Sequence, residues 1–117
     1  YGQRLAHFLA VAQQRKIPVL WVGMPIMRDE RFDGGMRIIN RVHQELAERH
    51  GAAFLDIADF TADEEGAYAE FLVQPSGRKR RLRHEDGVHS WEFGYDRLAA
   101  HVADAIRARF PGLLPGP

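Results

Sequence analysis

Ile17 to Val22 is a run of six residues without a charge, a side-chain amide or a hydroxyl, and no other stretch limits so tightly what this chain can fold into. A strand with one wet face alternates apolar and polar side chains, whereas an unbroken, β-branched run is the pattern of a parallel strand covered on both faces. Such cover comes from helices, and helical spacing stands on either side. Leu5, Phe8, Leu9 and Ala12 fall at i, i+3, i+4 and i+7, ending near Arg15-Lys16 before Pro18, where a helix cannot continue. Met36, Ile39, Val42 and Leu46 repeat the spacing until Gly51, and Ala53 to Ile57 reads as a second short parallel strand. Helix, strand, helix, strand predicts α/β layering with a right-handed crossover inside one sheet.

Between the first strand and the second helix, Gly23 to Gly35 reads as a charged loop closed by Asp33-Gly34-Gly35, with Asp33 as the helix N-cap. Loops at the carboxyl ends of parallel strands are where sites are built. After Asp59 the pattern changes. Tyr68 to Val73 and Arg78 to Arg83 flank Gln74-Pro75-Ser76-Gly77, a turn sequence, and predict a β-hairpin arm. From Tyr95, the residues Leu98, Ala99, Val102 and Ile106 line a last helix that Pro111-Gly112 stops. The expected organisation is one domain portion over residues 1–110 and a flexible tail over 111–117.

Composition narrows the function classes. With 45% hydrophobic residues in 117, the chain can build a core. Sixteen basic residues balance sixteen acidic ones, so no net field draws it to nucleic acid or to an anionic membrane, and neither partner is expected. Without cysteine there is no disulfide and no thiolate metal site. No apolar run reaches the length of a membrane span. The chain opens at Tyr1 directly into a helical pattern, which leads us to expect an N-terminal portion before it.

Chemistry enters at Asp86-Gly87-Val88-His89, where a carboxylate stands three residues before an imidazole as the chain turns into its last helix. A serine hydroxyl needs an imidazole to take its proton and a carboxylate to fix that imidazole's tautomer, so this pair has the makings of half a triad. The same four residues also suit a plain turn and cap. Their surroundings, Leu82 to His89 with Gly94-Tyr95 and Leu98-Ala99 after them, resemble the last block of the SGNH (GDSL-like) hydrolases, in which an Asp-x-x-His loop leads into the C-terminal helix. The resemblance runs through Trp21-Val22-Gly23-Met24-Pro25, Phe32-Asp33, Asn40, Asp56-Ile57 and Gly66-Ala67-Tyr68, and looks closest to an envelope-associated branch.

What the resemblance implies is a three-layer, flavodoxin-like SGNH hydrolase fold, present here as its C-terminal half with an inserted hairpin. The implied activity is that of a serine ester hydrolase or O-acyltransferase working on O-acyl groups of a cell-envelope glycan, in the periplasm or envelope. His89 would be the base, Asp86 its orienting partner, and neither cofactor nor metal would be needed. The alternative is an SGNH-like module that binds or assembles without catalysis.

The family's nucleophile and oxyanion residues precede the strand that is here Ile17 to Val22. This chain has only Ser76, in the hairpin turn, and Ser90, which reads as a helix cap, so the resemblance implies a nucleophile in a missing N-terminal half. The family also continues its histidine with an apolar residue and threonine, where Ser90-Trp91 stand here. An unpaired edge on the first strand would then invite that half, or a second copy, to pair with it.

Other signals have plainer readings. Arg78, Lys79, Arg80, Arg81 and Arg83 form the one basic cluster, expected on a solvated arm. His84, Asp86 and His89 lack the four-residue imidazole spacing of a zincin helix. Asp29, Glu30, Asp56 and Asp59 are expected to cap turns, Asn40 to satisfy a loop carbonyl, and Trp21 and Trp91 to pack, with Trp91 placed to wall the site.

Overall fold

In the computed structural model, which describes residues 2–116, the first helix, α1, spans Gly2–Gln14 and ends on a lysine in the left-handed region, Lys16 at φ 56°. Lys16 N–H reaches Gln13 O (3.1 Å) and Ile17 N–H reaches Ala12 O (2.9 Å), the two bonds of a Schellman ending. Ile17 thereby gives its amide to α1, and Pro18 has none to give. Strand β1 is accordingly Leu20–Val22, shorter than the apolar run predicts, and its three residues are half-buried rather than covered on both faces.

The second helix, α2, is Glu30–Arg49, starting earlier than the sequence suggests. Asp29, not Asp33, is its N-cap, accepting from Phe32 N–H at 2.7 Å. Asp33 lies in the first turn, where it accepts from Met27 N–H (2.8 Å) and pairs with Arg37 (2.7 Å). Gly34 and Gly35 are therefore helical and exposed, and a methyl group at either position would meet nothing within 4 Å. Gly34→Ala and Gly35→Ala should each raise stability by about 0.5–1 kcal/mol, read as a higher urea midpoint; a fall at either would show that the helix does not begin at Glu30.

Strand β2, Ala53–Leu55, pairs in parallel with β1, Leu20 opposite Ala53 and Val22 opposite Leu55. It stops short of the predicted Ile57 because Asp56 turns the chain, its Oδ1 accepting from Ala58 N–H at 2.8 Å, into a one-turn helix α3 (Ala58–Thr61) that the sequence reading lacks. The predicted arm is present as β3 (Phe71–Val73) against β4 (Lys79–Arg81), antiparallel around Gly77 at φ 84°. Helix α4, Glu92–Arg109, has Trp91 at its N-cap position with no side-chain cap bond. Ser90, the expected cap, instead forms an antiparallel bridge with Arg83.

The α/β class is thus present. Strand β2 contacts both α2 and α4, and α1 lies on α2. Trp21 on β1 joins the layers: its ring meets Phe8 of α1 edge-on, and its indole N–H donates to His43 Nδ1 of α2 at 3.0 Å. Burial holds His43 below the ordinary imidazole pKa, which keeps that acceptor neutral. The molecule is a slab, 49 × 38 × 21 Å, with a radius of gyration of 15.9 Å against about 13 Å for a compact domain of this length. No described residue of α4 is buried, and its Leu98, Val102 and Ile106 line an open groove with Leu114. Past the helix, Arg107 Nε donates to Pro115 O at 2.9 Å, within the segment expected to be a flexible tail.

Candidate functional site

The loop after β1 leaves the carboxyl edge of the sheet and is fixed at nearly every residue. Asn40 clamps Met24 from both sides, accepting from its N–H (2.6 Å) and donating to its carbonyl (3.0 Å), so the loop-satisfying role expected of Asn40 is what its geometry provides. Thr61 Oγ1, at the end of α3, accepts from Ile26 N–H at 3.1 Å. Asp33 holds Met27, as described above. Ile26 and Met27 are buried at 5% and 4% exposure.

Onto that loop sits a second one, residues 84–89, closed at its base by the Arg83–Ser90 bridge and by His84 N–H to His89 O (2.8 Å). Arg28 holds its outer side: the Arg28 amide donates to Gly87 O (3.1 Å) and its guanidinium to Glu85 O (2.8 Å). Gly87 is at φ 74°, and a β-carbon there would press on the Arg28 side chain, so glycine is required twice over.

Inside this loop Asp86 folds back on its own chain. Its Oδ1 accepts from Val88 N–H (2.8 Å) and His89 N–H (2.9 Å), and its Oδ2 lies 2.6 Å from His89 Nδ1. The His89 hydrogen bond, then the two amides, hold the Asp86 carboxyl well below the usual carboxylate range, so it is ionised at neutral pH and can only accept. Nδ1 of a neutral His89 must then carry the proton, which leaves the lone pair on Nε2. The imidazole side chain is 69% exposed, so Nε2 can meet a hydroxyl brought from elsewhere. This is the arrangement a general base needs.

His84 is not a second partner of the carboxylate. Its Nδ1 stands 3.5 Å from Asp86 Oδ2, but it accepts the Asp86 amide at 3.2 Å, which occupies its lone pair. Trp91 is 46% exposed, its ring 5.7 Å from that of His84, at the edge of the loop. Ser76 lies in the hairpin turn with its Oγ facing the Arg78 amide (3.4 Å). Asp56 caps a turn, as expected, whereas Asp29 caps helix α2. Among the described residues no group of three or more His, Cys, Asp or Glu side chains could hold a metal ion, and no helix is long and apolar enough to cross a membrane.

The basic cluster divides. Arg80 lies over the Phe93 ring at 4.0 Å, and Arg81 pairs with Glu70 at 2.6 Å. Arg83 departs from the solvated arm altogether: it is 2% exposed, with Nη1 donating to Ile26 O and Nη2 to Val88 O, each at 2.7 Å. Sequence reasoning missed this residue. The available signal was its place two residues past the end of the ladder, next to apolar Leu82.

Residues 1–105 match the family model described as "Protein of unknown function (DUF459)". The chain belongs to the DUF459 family. The match takes in both loops of the site and most of α4, so the Asp86–His89 pair lies within the DUF459 region. A search of curated proteins finds no match to the chain.

Proposed function

We propose that this DUF459 chain supplies the general base, His89, and its orienting carboxylate, Asp86, to a Ser-His-Asp site of the SGNH type. The observation that carries the reading is the 2.6 Å contact between Asp86 Oδ2 and His89 Nδ1, with both amides of the loop fixing the same carboxylate. The SGNH resemblance of the sequence and the DUF459 match over residues 1–105 support it. Nε2 would take the proton of a serine hydroxyl as the oxygen attacks an ester carbonyl, and then return it to the departing alkoxide. A second cycle, with water or a sugar hydroxyl as acceptor, would release the acyl group by hydrolysis or transfer. The substrate class is an O-acylated glycan of the cell envelope, a reading that rests on the resemblance.

Neither serine of this chain has the setting of a nucleophile, so the hydroxyl and the oxyanion donors come from outside these residues. The open edge of β1, the flat shape and the uncovered face of α4 fit a chain that is completed by further residues of the same domain. The test is ester hydrolysis. Residues 1–117 alone should cleave p-nitrophenyl acetate no faster than free imidazole, whereas the full-length protein should turn it over and lose that activity on His89→Ala. A full-length protein that forms no acyl-enzyme would favour the non-catalytic module, and activity of the isolated chain lost on Ser90→Ala would overturn the external nucleophile.

A further inference from the structure

We infer that Arg83 is the positioning residue of this site, holding the Val88–His89 peptide plane in the orientation that keeps the imidazole on Asp86; the inference rests on His89 being the base. Val88 O and His89 N–H are the two ends of one peptide unit. Arg83 Nη2 holds the oxygen at 2.7 Å, and Asp86 Oδ1 holds the N–H at 2.9 Å. With both ends fixed the plane cannot rotate, and the Cα of His89 is set relative to the carboxylate that its ring must reach. Drawing on the carbonyl with a cation also polarises the amide and strengthens its N–H as a donor to Asp86.

The other arm of the fork refers the site to the sheet. Arg83 Nη1 donates to Ile26 O at 2.7 Å, and Ile26 N–H is in turn held by Thr61 Oγ1. One rigid, planar group therefore binds the loop after β1 and the loop of His89 together. Lysine, a point charge on a flexible stem, cannot reproduce the fork. Packing alone does not account for this residue. Among the described residues no carboxylate forms an ion pair with Arg83, its Nε has no partner, and the Tyr68 ring lies 5.0 Å beneath it. A buried cation without an ion-pair partner costs stability that the ionised Asp86, acting on it through space, offsets only in part, and an apolar side chain of similar volume would fill the same space without that cost. What the apolar residue could not do is grip two carbonyls.

The experiment is proton NMR of the protein and of Arg83→Lys, with folding checked by circular dichroism. The readout is the low-field resonance of His89 Nδ1–H, and the Trp21 Nε1–H bonded to His43 is the internal control. In folded Arg83→Lys the His89 proton should exchange with solvent about tenfold faster or more, while the Trp21 proton stays unchanged. An unchanged His89 proton, or both protons loosening together, would overturn the inference. The unsubstituted protein gives a second measurement that does not depend on the variant folding. On warming, the Arg83 Nη and His89 Nδ1 protons should broaden together and before that of Trp21, and a His89 proton lost while Arg83 stays slow would count against the inference. In the active full-length protein, Arg83→Lys should lower kcat by about 100-fold with KM little changed, the size of effect expected for an imidazole displaced by about 1 Å. If the resonances behave as stated and no esterase activity exists, the proposed function fails and the positioning stands. If His89→Ala abolishes activity but Arg83→Lys alters neither proton nor kcat, the positioning fails and the function stands.

Discussion

Asp86→Asn in the full-length protein is expected to lower kcat for ester hydrolysis by about 10⁴-fold while leaving the fold intact, the size seen when a triad carboxylate becomes an amide elsewhere. The two oxygens of Asp86 do different work. Oδ1 accepts from the Val88 and His89 amides, and an asparagine oxygen can take over that duty, so the loop should keep its shape. Oδ2 accepts from His89 Nδ1 at 2.6 Å, and there the asparagine would present an N–H. A neutral imidazole meeting a donor at Nδ1 must carry its own proton on Nε2, and a protonated Nε2 cannot take one from serine. The loss should therefore fall on kcat, with KM close to that of the unsubstituted protein. Parallel assays of both proteins at neutral pH decide it. A decrease of less than about tenfold would mean that Asp86 only shapes the turn, the turn-and-cap reading of the same four residues.

How much of this was legible beforehand differs by residue, for physical reasons. Apart from α3, the order of helices and strands, the hairpin and the Asp86–His89 spacing follow from local patterns. Boundaries went astray where two neighbours could serve one role. Asp29 and Asp33 can each cap a helix, and the choice falls to Asp29 because Asp33 is needed by Met27 N–H across the preceding loop. Ile17 reads as strand because it is apolar, yet its amide closes α1. Arg83 was hidden by composition, as one cation among five near the hairpin. Its burial is decided by partners at 26 and 88, far from it and close to it in sequence, which no periodicity announces.

Gly94→Ala tests the other support of the site. In an ordinary exposed helix this change stabilises by about 1 kcal/mol, because alanine is the better helix former. Here the opposite sign is expected. Gly94 lies in the first turn of α4, where a β-carbon would overlap the carbonyl oxygen of Leu82. That oxygen already accepts from Trp91 N–H at 2.9 Å, and Leu82 and Arg83 are buried at 6% and 2% exposure. Backbone held on both sides cannot swing away as a flexible side chain would, so either the start of α4 lifts or the Leu82–Arg83 segment shifts. Overpacking of this kind costs about 3 kcal/mol, enough to reverse the propensity gain. Urea unfolding should show a midpoint well below that of the unsubstituted protein with an unchanged slope, while Gly34→Ala and Gly35→Ala move it upward. A Gly94→Ala protein as stable as its parent would mean that α4 does not rest on Leu82. Because Arg83 follows Leu82 and bridges to Ser90, the same shift should reach His89, and its Nδ1 proton should exchange faster in Gly94→Ala well below the unfolding transition.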